Sequence, residues 1–190
     1  MYEIRIHGRG GQGAVMAGGI LASALVLEGK FVVAVPSFGF ERRGAPVASF
    51  LRLDDREIRQ MTNIYNPDCI LCIDPTVARA VNIFDGVREN AVLVQTTAKS
   101  VEELKLSERV VVVGLCDAVS IALEIFRRPI TNTIMLGAFA RTTGLVTLES
   151  LRAAIKESEF RDAGLEQNLA ALERGFNSTK VHKIVQKAAA

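Results

Sequence analysis

The stretch Gly8-Arg9-Gly10-Gly11-Gln12-Gly13 puts four glycines into six residues, and it constrains the fold more than any other part of the chain. Backbone this rich in glycine reaches positive φ without steric cost and lets a neighbouring segment approach closely. Ahead of it, Tyr2-Glu3-Ile4-Arg5-Ile6-His7 places apolar residues two apart, the alternation of a half-buried strand. Behind it, Ala14 to Leu25 is apolar and small and reads as a buried helix. The glycines therefore form a turn from a first strand into a first helix. The unpaired N–H groups of such a helix start favour an anion.

Gly8, Gly10 and Gly13 formally satisfy G-x-G-x-x-G, so binding of NAD or FAD has to be weighed. That fingerprint also needs an acidic residue about 20 residues further on, at the end of the second strand, to hold the ribose. Here the second strand reads as Phe31–Val35 and ends in Pro36-Ser37 without a carboxylate. Glu28 comes too early, and Glu41 lies beyond the strand. The dinucleotide signature lacks its second half, and the reading loses most of its weight.

A chain of 190 residues with 49% hydrophobic content can bury a core as one domain. Its net charge of +2 has no basic run behind it, so nothing points to nucleic acid as a partner. No uninterrupted apolar segment is long enough to span a membrane, and the start lacks a signal-peptide layout. A cytoplasmic protein is expected. The three cysteines, Cys69, Cys72 and Cys116, suit a reducing compartment. Cys69-Ile70-Leu71-Cys72 spells C-x-x-C, but inside an apolar strand the two thiols point to opposite faces. Buried structural cysteines are expected, with no metal or cluster bound by this chain.

Continuous apolar runs at Cys69–Ile73, Ala91–Gln95 and Val110–Leu115 read as strands covered on both faces. Val47–Leu53 reads as a strand that turns at Asp54-Asp55 into a short return strand, Glu57–Arg59. Asp74-Pro75 reads as the start of a helix running to Ile83. Later helices are expected from Asp117 to Phe126, Thr131 to Thr142 with Gly144 as terminator, and from Thr147 onward. A last one runs from Gly164 to Arg174, with Gly175 as its C-cap. The order of elements gives an α/β class: a three-layer α/β/α single domain with a mostly parallel or mixed sheet and a helical C-terminal part. The domain is assigned to residues 1–180, and 181–190 reads as a tail without a strong pattern.

Catalytic candidates are absent: no Ser–His–Asp or Cys–His grouping can be assembled, and His7 reads first as a hydrogen-bonded structural histidine and second as a ligand contact. Arg42-Arg43 is more informative. It lies in the glycine- and proline-punctuated loop Pro36–Pro46, beside Phe38 and Phe40. Adjacent guanidinium forks next to aromatics suit a protein interface or the rim of an anionic site. In an α/β sheet this loop leaves the carboxyl end of the second strand, beside the glycine turn, where ligand crevices form.

Together, Gly8-Arg9-Gly10-Gly11-Gln12-Gly13 and Pro36-Ser37-Phe38-Gly39-Phe40-Glu41-Arg42-Arg43-Gly44-Ala45-Pro46 resemble the gamma subunits of 2-oxoacid:acceptor (ferredoxin/flavodoxin) oxidoreductases. The segments Asn132–Ala138 and Thr147–Leu151, with Asn168, Ala171 and Gly175, look like the same family's helices, so the resemblance spans nearly the whole chain. It implies a subunit that is not catalytic alone. The complex would oxidatively decarboxylate pyruvate, another oxoacid or an aryl oxoacid with coenzyme A and pass the electrons to ferredoxin or another acceptor. Alpha and beta chains would hold thiamine diphosphate and Mg, and the beta chain and a ferredoxin-like delta chain the [4Fe-4S] clusters, with a flavin subunit as an optional partner. On this chain Gly10, Gly11, Gln12 and Gly13, with Arg42 and Arg43, would form the face toward the active site and coenzyme A. The alternatives are a free-standing nucleotide-binding α/β domain and a scaffold whose glycine turn serves packing alone.

Overall fold

The computed structural model describes residues 1–11, 13–36, 44–158 and 164–184. Its elements run β1 (Tyr2–Arg9), α1 (Ala14–Leu27), β2 (Phe31–Pro36), β3 (Pro46–Asp54), β4 (Cys69–Cys72), α2 (Val77–Ala80) and β5 (Ala91–Thr96). They continue with a 3-10 turn (Val101–Glu103), β6 (Val110–Cys116), α3 (Ala118–Phe126), α4 (Asn132–Thr143), α5 (Leu148–Lys156), α6 (Leu165–Ser178) and β7 (Lys180–Lys183).

The strands form one mixed sheet in the order β2-β3-β1-β4-β5-β6-β7. Strands β1, β4, β5 and β6 are parallel neighbours, the arrangement expected of buried apolar runs. Strand β3 lies antiparallel between β1 and β2, so β2 runs the same way as β1. The hairpin expected at Asp54-Asp55 does not form: Glu57–Arg59 is irregular, because β3 already has β1 and β2 on its two edges. Both of its pairing sites are filled.

Helices α1 and α3 to α6 cover one face of the sheet, packing onto Ile4, Ile6, Leu51, Leu71 and Val94. The other face has little helix. Irregular chain between β3 and β4, and between α2 and β5, lies against it, with Ile83 and Val87 packed on Ile70, Cys72 and Leu93. Irregular backbone cannot satisfy its own carbonyls when it is pressed onto a sheet. Here arginines do so. Arg52 donates to the carbonyls of Thr62 (2.6 Å) and Asn63 (3.2 Å), and Arg5 to those of Ile83 (2.9 Å) and Asp85 (2.6 Å). Glu3 balances the charge, accepting from Arg52 Nε at 2.8 Å and from Arg88 at 2.7 Å. β1 therefore has no exposed face: Glu3, Arg5 and His7, the polar half of the alternation, are buried too.

Local signals set most helix ends. The Asp117 carboxylate accepts from Ser120 N–H, the Thr147 hydroxyl from Ser150 N–H, and Gly144 closes α4 with a left-handed φ of 63°. Three expectations change. The helix foreseen from Asp74 to Ile83 shrinks to Val77–Ala80, and the Asp74 carboxylate instead accepts from Thr76 N–H at 2.7 Å in a local turn. Gly175 does not end the last helix, which continues to Ser178. It sits where α6 crosses α4: a Cβ there would run into the Ile134 carbonyl, and one on Gly137 into that of Leu172. The start of the expected tail, Val181–Lys183, belongs to edge strand β7, antiparallel to β6.

Candidate functional site

Because β1, β2, β4, β5 and β6 point the same way, their carboxyl ends share one edge, where α/β sheets bind ligands. The glycine turn leaves β1 there. Gly11 (φ 86°) and Gly13 (φ 82°) take left-handed backbone that side-chain-bearing residues avoid. Gly13 is the N-cap of α1 and has no side chain to bond the first N–H groups; its carbonyl accepts from Ala17 N–H at 2.8 Å. The first N–H groups of the helix thus receive no side-chain cap from Gly13. A Cβ on Gly13 would also come within 2.5 Å of Asn132 Nδ2.

The chain returning from the arginine loop is stitched to this turn. Gly10 N–H donates to Ala45 O at 2.9 Å, Gly44 N–H to Gly10 O at 3.0 Å, and Arg9 to Gly44 O at 2.8 Å. Gln12, Arg42 and Arg43 lie outside the described residues. Among the described site residues, Gly10, Gly11 and Gly13 are together at the edge.

Several side chains at this edge escaped sequence reasoning. Arg9 Nε donates to Thr76 Oγ1 at 2.8 Å and lies 3.5 Å from Asp74, tying the turn to the end of β4. The Thr131 hydroxyl donates to Ile73 O at 2.6 Å, and Asn132 Nδ2 reaches Met16 Sδ at 3.6 Å, so the start of α4 packs against the start of α1. Arg9 stood inside the glycine motif and Asn132 inside a segment of the family resemblance. Neither carries a local signal of its role.

No group of three or more His, Cys, Asp or Glu able to hold a metal occurs among the described residues. Cys69 packs with the helical face of the sheet and Cys72 with the opposite one, so the C-x-x-C pair does not converge and does not fit a cluster. Burial pushes the Cys72 thiol up to about 12 and that of Cys69 higher still, so neither is a ready nucleophile. His7 is structural: its Nε2 accepts from Arg5 Nε at 3.0 Å. No helix among the described residues is long and apolar enough to cross a membrane.

His7 also gives a pH prediction. Burial, and secondarily the Arg5 charge, hold it down to about 4, against 6.5 for an ordinary histidine. The unfolded chain therefore takes the proton first as pH falls, so this term stabilises fully above about pH 6.5 and is lost between there and pH 4. The loss should reach about 3 kcal/mol. Urea unfolding of wild type and His7→Gln across that range should show a steeper decline in the wild type; parallel curves would acquit His7.

The comparisons with known proteins agree with one another. The family model described as pyruvate ferredoxin/flavodoxin oxidoreductase matches residues 3–178. The chain is 65% identical to the NADH-dependent phenylglyoxylate dehydrogenase subunit gamma of Aromatoleum evansii over the whole of both chains. It is 50% identical to the pyruvate/ketoisovalerate oxidoreductases common subunit gamma of Thermococcus kodakarensis, over 97% of this chain and all of that one. The crystal structure of the pyruvate oxidoreductase subunit PORC of Thermotoga maritima superposes with a TM-score of 0.81 at 36% identity, covering 96% of this chain and 98% of that one. With a matching fold, full-length relatives and the glycine turn in place, the chain belongs to the pyruvate ferredoxin/flavodoxin oxidoreductase family.

Proposed function

We propose that this chain is the gamma subunit of a thiamine-diphosphate-dependent 2-oxoacid:acceptor oxidoreductase that works in the cytoplasm and converts an aryl 2-oxoacid, coenzyme A and an oxidised acceptor into acyl-CoA, carbon dioxide and reduced acceptor. The observation that carries the reading is full-length identity of 65% to a phenylglyoxylate dehydrogenase gamma subunit. The Thermococcus relative is named as common to pyruvate and ketoisovalerate oxidoreductases, which fits a subunit that leaves the choice of oxoacid to other chains. In this reading alpha and beta chains carry thiamine diphosphate and Mg, the beta and delta chains the [4Fe-4S] clusters, and a flavin subunit can lead to a pyridine nucleotide. Thiamine diphosphate, when bound, supplies the carbanion chemistry of decarboxylation. Isolation of the native complex under anaerobic conditions tests this. Recovery of thiamine and iron–sulfur chains, with at least tenfold higher kcat/KM on phenylglyoxylate than on pyruvate, would support it. A pyruvate preference would shift the substrate alone, whereas a chain recovered by itself would bring the nucleotide-binding alternative forward.

Within that complex Gly10, Gly11, Gln12 and Gly13, with Arg42 and Arg43, form the face toward the active site and coenzyme A. The open helix start after Gly13 and the exposed Gly11 fit an anionic group of that molecule. Replacing Arg42 and Arg43 by alanine should raise the KM for coenzyme A at least tenfold, since each charge-assisted hydrogen bond contributes about 1.5–3 kcal/mol. The kcat should change little, as expected when ground-state binding is lost. An unchanged KM in an intact complex would remove the arginines from the site.

A further inference from the structure

The sheet changes its winding direction between β1 and β4. From β1 the chain crosses through α1 to β2 and returns through β3, all on one side of β1, whereas β4, β5, β6 and β7 lie on the other. Connections that diverge in this way leave a crevice outside the carboxyl ends of the two strands, the usual place for a ligand in an open α/β sheet. Here the diverging turns are the glycine turn after β1 and Asp74-Pro75-Thr76 after β4.

One side chain spans them. Arg9 leaves β1 on the face opposite α1, in the same row as Glu3, Arg5 and His7. Its Nε donates to Thr76 Oγ1 at 2.8 Å and lies 3.5 Å from Asp74 Oδ1, while Nη1 donates to Gly44 O at 2.8 Å. Thr76 is itself fixed, because the buried Asp74 carboxylate accepts from its N–H at 2.7 Å and from its hydroxyl at 2.5 Å. The other end is tied as well: Gly44 N–H donates to Gly10 O at 3.0 Å, and Gly10 N–H to Ala45 O at 2.9 Å. A single guanidinium thus joins the turn after β1, the chain entering β3 and the turn after β4.

The backbone needs such a tie. Glycine has more accessible conformations than any other residue and loses more entropy when it is ordered. Gly10, Gly11 and Gly13 have no side chains with which to hold one shape, so whatever fixes the turn comes from outside those glycines. A ligand that meets an unfixed turn binds only the fraction of molecules already in the right shape, and its apparent affinity falls by that fraction.

We propose that Arg9 is a positioning residue for coenzyme A: through Thr76 and Asp74 it holds the glycine turn, and the chain returning at Gly44, in the shape that binds. The proposal rests on the function proposed above. Its role differs from that of Arg42 and Arg43, whose charges would meet the ligand. Acceptors on two separate segments must be held at once by one planar group, so the fork matters and a charge by itself does not suffice.

Two variants break the tie from opposite ends. Arg9→Gln removes the fork, and Thr76→Val removes an acceptor on the far turn without changing any charge. In the isolated full chain, amide hydrogen exchange followed by NMR should quicken about tenfold at Gly10 and Gly44 in both variants, with Ile4 and Ile6 unchanged, since a local opening leaves the middle of β1 paired. In the assembled complex both should raise the KM for coenzyme A about tenfold with kcat close to wild type, the pattern of fewer competent turns. Arg9→Lys should restore neither property. Wild-type exchange at Gly10 and Gly44 in both variants would overturn the proposal while leaving the subunit reading standing. So would faster exchange with an unchanged KM, which would make the tie structural alone. A raised KM in Arg9→Gln that Arg9→Lys repairs and Thr76→Val does not share would also overturn it, by making Arg9 a direct ligand contact. A wild-type chain that enters no thiamine-diphosphate-bearing complex would overturn the subunit reading and this role with it.

Discussion

Gly175→Ala is expected to destabilise the chain by about 3–5 kcal/mol, although the same change usually strengthens a helix. Two effects of opposite sign compete. Alanine in a helix interior is favoured over glycine by about 1 kcal/mol through propensity. Against that, the added methyl would run into the Ile134 carbonyl oxygen, and Gly137 makes the reciprocal approach to Leu172 O one turn away in the crossing. Neither obstacle is a flexible side-chain tip that could swing aside. Both are helix backbone, so α4 and α6 must separate along the contact that buries Ile134, Ala171 and Leu172. Overpacking against rigid backbone wins. A chain of this size loses about 2–4 °C of thermal midpoint per kcal/mol, so a drop on the order of 10 °C or more is expected. Gly19→Ala makes the comparison fair: a Cβ there meets nothing within 4 Å, so propensity acts alone and the isolated chain should gain up to about 1 kcal/mol. Denaturant unfolding followed by circular dichroism would measure both. A neutral or stabilising Gly175→Ala would mean that the crossing is looser than these contacts require.

The same residue shows where local reading stops. A glycine near the end of an amphipathic run has one appearance in sequence whether it caps the helix or admits a crossing neighbour. What distinguishes the two at Gly175 is α4, which no window around residue 175 contains. Strands β4, β5 and β6 were legible because continuous apolar runs have few other uses, and α3, α4 and α5 because Asp117, Gly144 and Thr147 are short-range signals. Strand β1 was legible as a strand and misread as half-buried. Its polar residues look outward by alternation, yet they face a covering layer of irregular chain whose carbonyls need donors. The position of β3 between β1 and β2 was hidden for the same reason: the turn residues Asp54-Asp55 promise a hairpin, and only the sheet order shows that no edge was free to accept it. At the site, glycine composition announced the turn, while Arg9, Thr76, Thr131 and Asn132 acquire their places through contacts made after the chain has folded.

Arg52→Met should cost about 3–5 kcal/mol and loosen the layer that covers the sheet face opposite the long helices. Arg52 is 1% exposed and divides its donors between one carboxylate and the backbone of the segment that follows β3. Methionine fills a similar volume and donates nothing. Glu3 keeps Arg88 at 2.7 Å but loses its buried partner, and the carbonyls of Thr62 and Asn63 lose their donor. A second substitution separates these two losses. For an isolated buried ion pair, replacing both members by apolar residues is often neutral. Here Arg52→Met combined with Glu3→Leu should recover only part of the stability, because the carbonyls remain unpaired whatever stands at position 3. Arg52→Lys should also fall short, since one ammonium cannot reproduce a fork aimed at a carboxylate and at the three carbonyls of Gln60, Thr62 and Asn63. The damage should be local before it is global. Limited trypsin digestion of Arg52→Met should cut faster after Arg56 and Arg59, which lie in the released segment, at denaturant concentrations where the helices remain intact by circular dichroism. Full recovery in the double variant would reduce Arg52 to a partner for Glu3, and the irregular layer would then have to hold itself to the sheet by apolar contact alone.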